Sequence, residues 1–182
     1  LSLQPMDTYQ QYHRYLLYVV GATWRCFGVS WDVVRGLCIV FYALTVLLVY
    51  WVARLAMRRS FAALVAAAFI AAPAPLVVLP VLRDFAKAPF IIATLIVIGA
   101  ITKKPRPTRW FLIMCALLGL VIGVGLGFRR DLTVCLLPAG LIPLVCVRPP
   151  RRFALMQRLA GVALMLAAFF LSAWPILKSF QE

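Results

Sequence analysis

A chain of 182 residues that is 65% hydrophobic, with a mean hydropathy of +0.99, is not a soluble domain, since soluble domains run at about 45–50% apolar. Its formal net charge of +14 does not point to nucleic acid, because the basic residues fall in short clusters between apolar runs, as topology signals do. The five cysteines (Cys26, Cys38, Cys115, Cys135 and Cys146) have no CxxC spacing and four lie in apolar runs, which suits packing residues rather than a redox or metal set.

The first segment, residues 9–32, is apolar but interrupted by His13, Arg14 and Arg25 and rich in Tyr and Trp. Aromatics with a cationic edge prefer the headgroup region, so the segment reads as an interfacial amphipathic helix on the outer surface rather than a span. Six apolar runs come after it, at residues 36–53, 61–82, 88–101, 110–128, 132–147 and 153–176. The third and fifth are shorter than the ~20 residues a perpendicular helix needs, which flanking Lys and Arg tolerate by snorkelling. Pro73 and Pro75 in the second run, and Pro138 and Pro143 in the fifth, are expected to kink or break their helices and free carbonyls that must find partners. Gly119, Gly123 and Gly127 recur every four residues along one face of the fourth run, a stripe that admits close helix contact and is expected to pack within the chain. The chain opens on Leu1 without a signal segment and closes at Gln181-Glu182 straight after an apolar run, so it reads as an internal piece of a longer membrane protein.

The connecting segments sort into two sets. Arg54, Arg58 and Arg59, then Lys103, Lys104, Arg106 and Arg109, then Arg148, Arg151, Arg152 and Arg158 make eleven of the nineteen basic residues and include no acid. The alternate segments hold the other eight basic residues and all five acids (Asp7, Asp32, Asp84, Asp131 and Glu182). The positive-inside rule places the first set in the cytoplasm and the second, with both chain ends, outside. The expected fold is therefore all-α: a polytopic membrane bundle of six transmembrane helices plus the N-terminal interfacial helix. Residues 1–35 form the outer-face loop and helix, and residues 36–182 the transmembrane core.

Two outer turns carry the chemistry-bearing residues: Arg83-Asp84-Phe85-Ala86-Lys87 and Arg129-Arg130-Asp131. Ionisable groups at membrane depth cost about 2.5–3.5 kcal/mol each and commonly mark a substrate or ion path. Arg binds phosphate bidentately and Lys as a point charge, while a neighbouring carboxylate suits a base or a ligand for a divalent cation. Against that stands the plainer reading, in which the Arg–Asp neighbours neutralise each other and anchor helix ends. His13 and Arg14, among Tyr9, Tyr12 and Tyr15, are candidates for a headgroup contact, and Asp7 is a candidate base on the outer face. No Walker loop, GxSxG, HExxH or Cys/His cluster occurs, so nucleotide, hydrolase and zinc readings have no support.

The order of these features resembles the GT-C superfamily of integral-membrane glycosyltransferases, which use polyprenyl-phosphate sugars and include protein O-mannosyltransferases and aminoarabinose transferases. Trp31-Asp32-Val33-Val34-Arg35-Gly36 running on to Tyr50-Trp51-Val52-Ala53-Arg54 resembles their second transmembrane helix. The Ala-rich stretch 62–80 looks like their third helix. The turn Leu82-Arg83-Asp84-Phe85-Ala86-Lys87-Ala88-Pro89-Phe90 is similar to their outer turn, and the run into Gly127-Phe128-Arg129-Arg130-Asp131 to their next hairpin. Ala173-Trp174-Pro175 resembles the exit of a helix toward the outer domain. The resemblance implies a polyprenyl-phosphate-linked sugar donor in a bacterial inner membrane, with Asp7 or Asp84 as catalytic carboxylate. It also implies Arg83, Lys87, Arg129, Arg130, Asp131, His13 and Arg14 around the lipid phosphate, and Asp84 as candidate ligand for Mg or Mn. The family's first helix and C-terminal outer domain have no counterpart here. Rival readings are a transporter or lipid flippase, whose charges belong mid-span, and a non-catalytic assembly subunit.

Overall fold

The computed structural model describes residues 13–78, 81–103, 107–145 and 154–178. Among them the secondary structure is helical, with no strand. The helices, in chain order, are α1 (Arg14–Phe27), α2 (Trp31–Ala56), α3 (Arg59–Ala71), α4 (Pro73–Val78), α5 (Leu82–Phe85), α6 (Ala88–Lys103), α7 (Thr108–Leu126), a 3-10 segment (Arg130–Cys135), α8 (Leu136–Val145) and α9 (Ala154–Lys178).

Three of these, α2, α7 and α9, are long and apolar enough to cross a membrane. Helix α2 begins five residues ahead of its apolar run, because its start is set by capping rather than hydropathy. Ser30 caps it by accepting from the Val33 N–H at 3.3 Å, and Asp32 in the first turn pairs with Arg35 at 3.0 Å. Helix α1 has 14 residues, about 21 Å at 1.5 Å each, and so falls short of a hydrocarbon core of about 30 Å. It ends at Gly28, whose φ of 87° is left-handed and releases the chain toward α2.

The proline expectation holds at Pro73. The second apolar run stops being one helix at Ala72, with Pro73 starting α4. Pro73 has no N–H to offer backwards, and the carbonyls left over are taken up nearby: Ala72 N–H donates to Phe69 at 3.4 Å and the Tyr42 hydroxyl to Ile70 at 3.3 Å. The fifth run divides into the 3-10 segment and the ten-residue α8, but the division falls at Leu136, ahead of both prolines, and α8 runs on through Pro138 and Pro143 to Val145.

The core centres on α7 against α9. Leu118 and Ile122 of α7 and Met165 and Ala173 of α9 are essentially without solvent exposure, and α6 and α8 close the sides through Val97, Ile101 and Ala139. Glycine makes the approach possible. A Cβ at Gly119 would lie 2.8 Å from the Met165 carbonyl carbon and 3.0 Å from the Phe169 nitrogen, and one at Gly123 would lie 2.7 Å from the Phe169 carbonyl oxygen. Both contacts are with the backbone of α9, so the stripe packs within the chain. The third member, Gly127, seats a different element: a Cβ there would enter the Tyr15 ring of α1. Cys38 and Cys115 are buried packing residues, and Cys26 is exposed.

Basic side chains close helix ends at one pole of the bundle. The Lys103 ammonium donates to the Leu55 carbonyl at 2.7 Å, at the end of α2, and the Arg158 guanidinium to the Leu144 carbonyl at 2.8 Å, at the end of α8. The last carbonyls of a helix have no internal partner and carry its negative dipole end, which is why cations settle there. The opposite pole holds the two charged turns and α1.

A charged network at one pole of the bundle

Each charged turn is anchored by an aromatic residue next to it in sequence. Phe85 follows Asp84, Phe128 precedes Arg129, and both rings are buried in a second core cluster with Leu16 and Phe41. Phe128 meets Phe90 at 4.7 Å and Phe41 edge-on at 5.8 Å between ring centroids, and Phe85 lies 6.1 Å from Tyr42. With the rings sunk into the bundle, the charged neighbours are carried to its rim. The sequence signal of these phenylalanines is the placement of one aromatic directly beside each charged turn.

The two turns meet. Arg129 is ion-paired with Asp84 through Nη1 and donates from Nε to Asp131 Oδ2 at 2.9 Å; Lys87 Nζ donates to the same Oδ2 at 3.2 Å. Lys87, Asp131, Arg129 and Asp84 therefore form one chain of described contacts in which cations and carboxylates alternate. Arg129 is its most sheltered member, with 23% of its side chain exposed, and Asp131 the most open at 56%. The Lys87 hydrogen bond, reinforced by the Arg129 charge, holds the Asp131 carboxyl below its ordinary value of 3.8 against a smaller opposing effect of burial. Because the folded value is depressed, this pairing contributes stability above the usual Asp range and loses it only as pH falls through the lower folded value. A carboxyl ¹³C titration is expected to place the Asp131 midpoint below 3.8, and Lys87→Met to move it upward. An unchanged midpoint in that variant would show that Lys87 does not govern it.

Helix α1 lies over the same pole and is tied to it by its first turn. His13 Nδ1 donates to the Phe128 carbonyl at 2.8 Å, and the Tyr15 N–H to Gly127 at 3.0 Å. The Arg14 guanidinium donates to the Pro175 carbonyl at 2.8 Å, and the Tyr15 hydroxyl to Ser172 at 2.5 Å. One short segment thereby donates to carbonyls just past α7 and in the last two turns of α9. His13 and Arg14 are thus placed beside the network, where their contacts fasten α1. Arg130 is exposed on the same turn. Of Arg83 only the backbone, in α5, is described, and Asp7 lies outside the described residues.

The Asp84 carboxylate, the candidate cation ligand, is paired with the Arg129 guanidinium, and among the described residues no group of three His, Cys, Asp or Glu that could hold a metal ion occurs. Compared with models of known protein families, with curated proteins and with solved structures, the chain matches none.

Proposed function

We propose that the chain is the membrane core of a GT-C-like glycosyltransferase that takes its sugar from a polyprenyl phosphate on the outer face of a bacterial inner membrane. The supporting observation is that the Arg83–Lys87 and Arg129–Asp131 turns, separated by two apolar helices, converge on one network beside an aromatic amphipathic helix. In this reading α2, α7 and α9 span the bilayer as continuous helices. The broken pair α3–α4, the shorter α6, and the 3-10 segment with α8 supply three further spans, and α1 lies in the headgroup layer. The basic pole faces the cytoplasm under the positive-inside rule.

The chemistry assigned to the site is displacement at the anomeric carbon. A carboxylate removes the acceptor's proton, the acceptor oxygen bonds to the sugar, and the sugar–phosphate bond breaks with inversion. The departing lipid phosphate gathers charge as it leaves, and Lys87 and Arg129 stand at the right depth to stabilise it. Asp84 is engaged by Arg129 and so acts here by positioning that guanidinium, which makes Asp7 the stronger candidate for the base. Arg83, Arg130, His13 and Arg14 belong to the rim around the headgroup.

A transporter reading makes a different demand, since its ionisable groups belong mid-span, whereas these stand at helix ends. Full-length protein in proteoliposomes, given a panel of radiolabelled polyprenyl-phosphate sugars and an acceptor extract, is expected to release free polyprenyl monophosphate as label passes to acceptor. Movement of intact donor across the bilayer without cleavage would replace this reading with a flippase, and neither outcome would leave an assembly role.

A further inference from the structure

Asp131 holds an unusual position for an exposed carboxylate. A single oxygen, Oδ2, accepts from both the Lys87 ammonium at 3.2 Å and the Arg129 Nε at 2.9 Å. Two cations converging on one anionic oxygen is the arrangement by which a phosphate oxygen is held. Among the described contacts the Asp131 carboxylate takes up the Lys87 ammonium and the Nε edge of Arg129 together, so an incoming phosphate meets both cations there only if that carboxylate withdraws.

The two carboxylates are not equivalent. Asp84 binds the Nη1 side of Arg129 and has a third of its side chain exposed, 33% against 56% for Asp131. It is backed by Phe85, whose ring is buried in the aromatic cluster. Asp131 binds the Nε edge from the first turn of the 3-10 segment, with more than half of its side chain exposed. Loss of the Asp131 contact would leave Arg129 oriented by Asp84 and free its Nε edge next to Lys87.

We infer that Asp131 is a built-in competitor: its carboxylate occupies a two-cation cradle formed by Lys87 and Arg129, and a phosphate monoester or inorganic phosphate binds there by displacing it. Asp84 is the positioning residue that keeps Arg129 in place during the exchange. This rests on reading the site as one that meets phosphate, but it requires no sugar transfer.

The test is phosphate affinity of the full-length protein in nanodiscs at low ionic strength, measured by calorimetry with two probes, inorganic phosphate and farnesyl monophosphate. Asp131→Asn and Asp131→Ala are expected to bind about tenfold tighter, the scale on which two exposed ion pairs are released together. Asp131→Glu, which keeps the anion, should stay near wild type, and adding Lys87→Met to Asp131→Asn should cancel the gain. Asp84→Asn is expected to weaken binding, opposite in sign to the Asp131 variants. Asp131 is more than half exposed, and two replacements of different size keep the test open should one misfold. Tightening for both probes assigns recognition to the phosphoryl group itself; tightening for farnesyl monophosphate alone assigns it to a lipid headgroup, and either supports the exchange. No tightening in Asp131→Asn and Asp131→Ala, or a gain that survives Lys87→Met, overturns it. Tighter phosphate binding without release of polyprenyl monophosphate in the transfer assay would retain the exchange and sink the transferase. Transfer with unchanged phosphate affinity in the Asp131 variants would do the reverse.

Discussion

Arg129→Met in the full-length protein is expected to lower transfer from a polyprenyl-phosphate sugar by about 10²-fold, the usual cost of removing one preorganised donor from a site where charge develops. Arg129 is the residue that joins the network, because it touches both carboxylates: Asp84 through Nη1 and Asp131 through Nε. Methionine keeps most of the side chain's apolar length, so packing beside Phe128 changes little and the loss reports on charge and hydrogen bonding. Arg129→Lys restores the charge, but an ammonium is a point donor that cannot present the two edges of a guanidinium fork, and it should recover only about tenfold of the deficit. The fall should appear in turnover more than in KM, since the interaction strengthens as the leaving phosphate gathers charge. Wild-type turnover in Arg129→Met would remove the network from the reaction altogether.

The sequence was informative wherever a residue type has one dominant physical use. Glycine every fourth residue in an apolar helix foretells close backbone contact, and α9 lies against Gly119 and Gly123 as that spacing requires. Proline within an apolar run foretells a broken helix, and the chain breaks at Ala72 before Pro73. The apolar runs place Lys103 just past the end of one run and Arg158 one turn into another, and both side chains donate to carbonyls near the ends of neighbouring helices. The site was legible only in part. The turns at Asp84 and Asp131 stood out because acids are rare here, yet nothing in either turn says that the two meet, because that depends on how α6 and α7 return the chain to the same pole. The ties from His13, Arg14 and Tyr15 to carbonyls at Phe128, Pro175 and Ser172 were beyond reach for another reason. A backbone carbonyl is present at every residue, so its choice of donor leaves no mark in sequence. Residues 9–32 read as one interfacial stretch, whereas α1 stops at Phe27 and Trp31 already belongs to α2. The Ser30 cap outweighed apolar texture in setting that boundary.

Gly119→Ala and Gly123→Ala give the second large effect, on stability rather than rate, and its sign is the useful part. On a helix face with room to spare, glycine to alanine is favourable by about 1 kcal/mol, because alanine has less backbone freedom to lose. Here the added methyl at Gly119 meets the Met165 carbonyl, and that at Gly123 meets the Ser172 hydroxyl and the Phe169 carbonyl; the hydroxyl can turn away, but the two carbonyls are backbone atoms of α9 that cannot swing aside. Overpacking of this kind costs about 1–3 kcal/mol per site, which exceeds the propensity gain, so each variant should unfold earlier than wild type. The two sites lie one turn apart on the same contact, and separating the helices at one relieves the other, so the double variant should lose less than the sum. Midpoints of unfolding in mixed micelles of increasing SDS fraction would measure this. Alanine variants that are as stable as wild type but change the oligomeric state would mean that the stripe meets a second copy of the chain instead of α9. The consequence reaches the charged pole, because Gly127 continues the same stripe and seats Tyr15. A displaced α9 carries the Ser172 and Pro175 carbonyls away from Tyr15 and Arg14. Gly123→Ala, though buried well below the network, is therefore expected to loosen α1 as well, read as faster amide hydrogen exchange across residues 14–20.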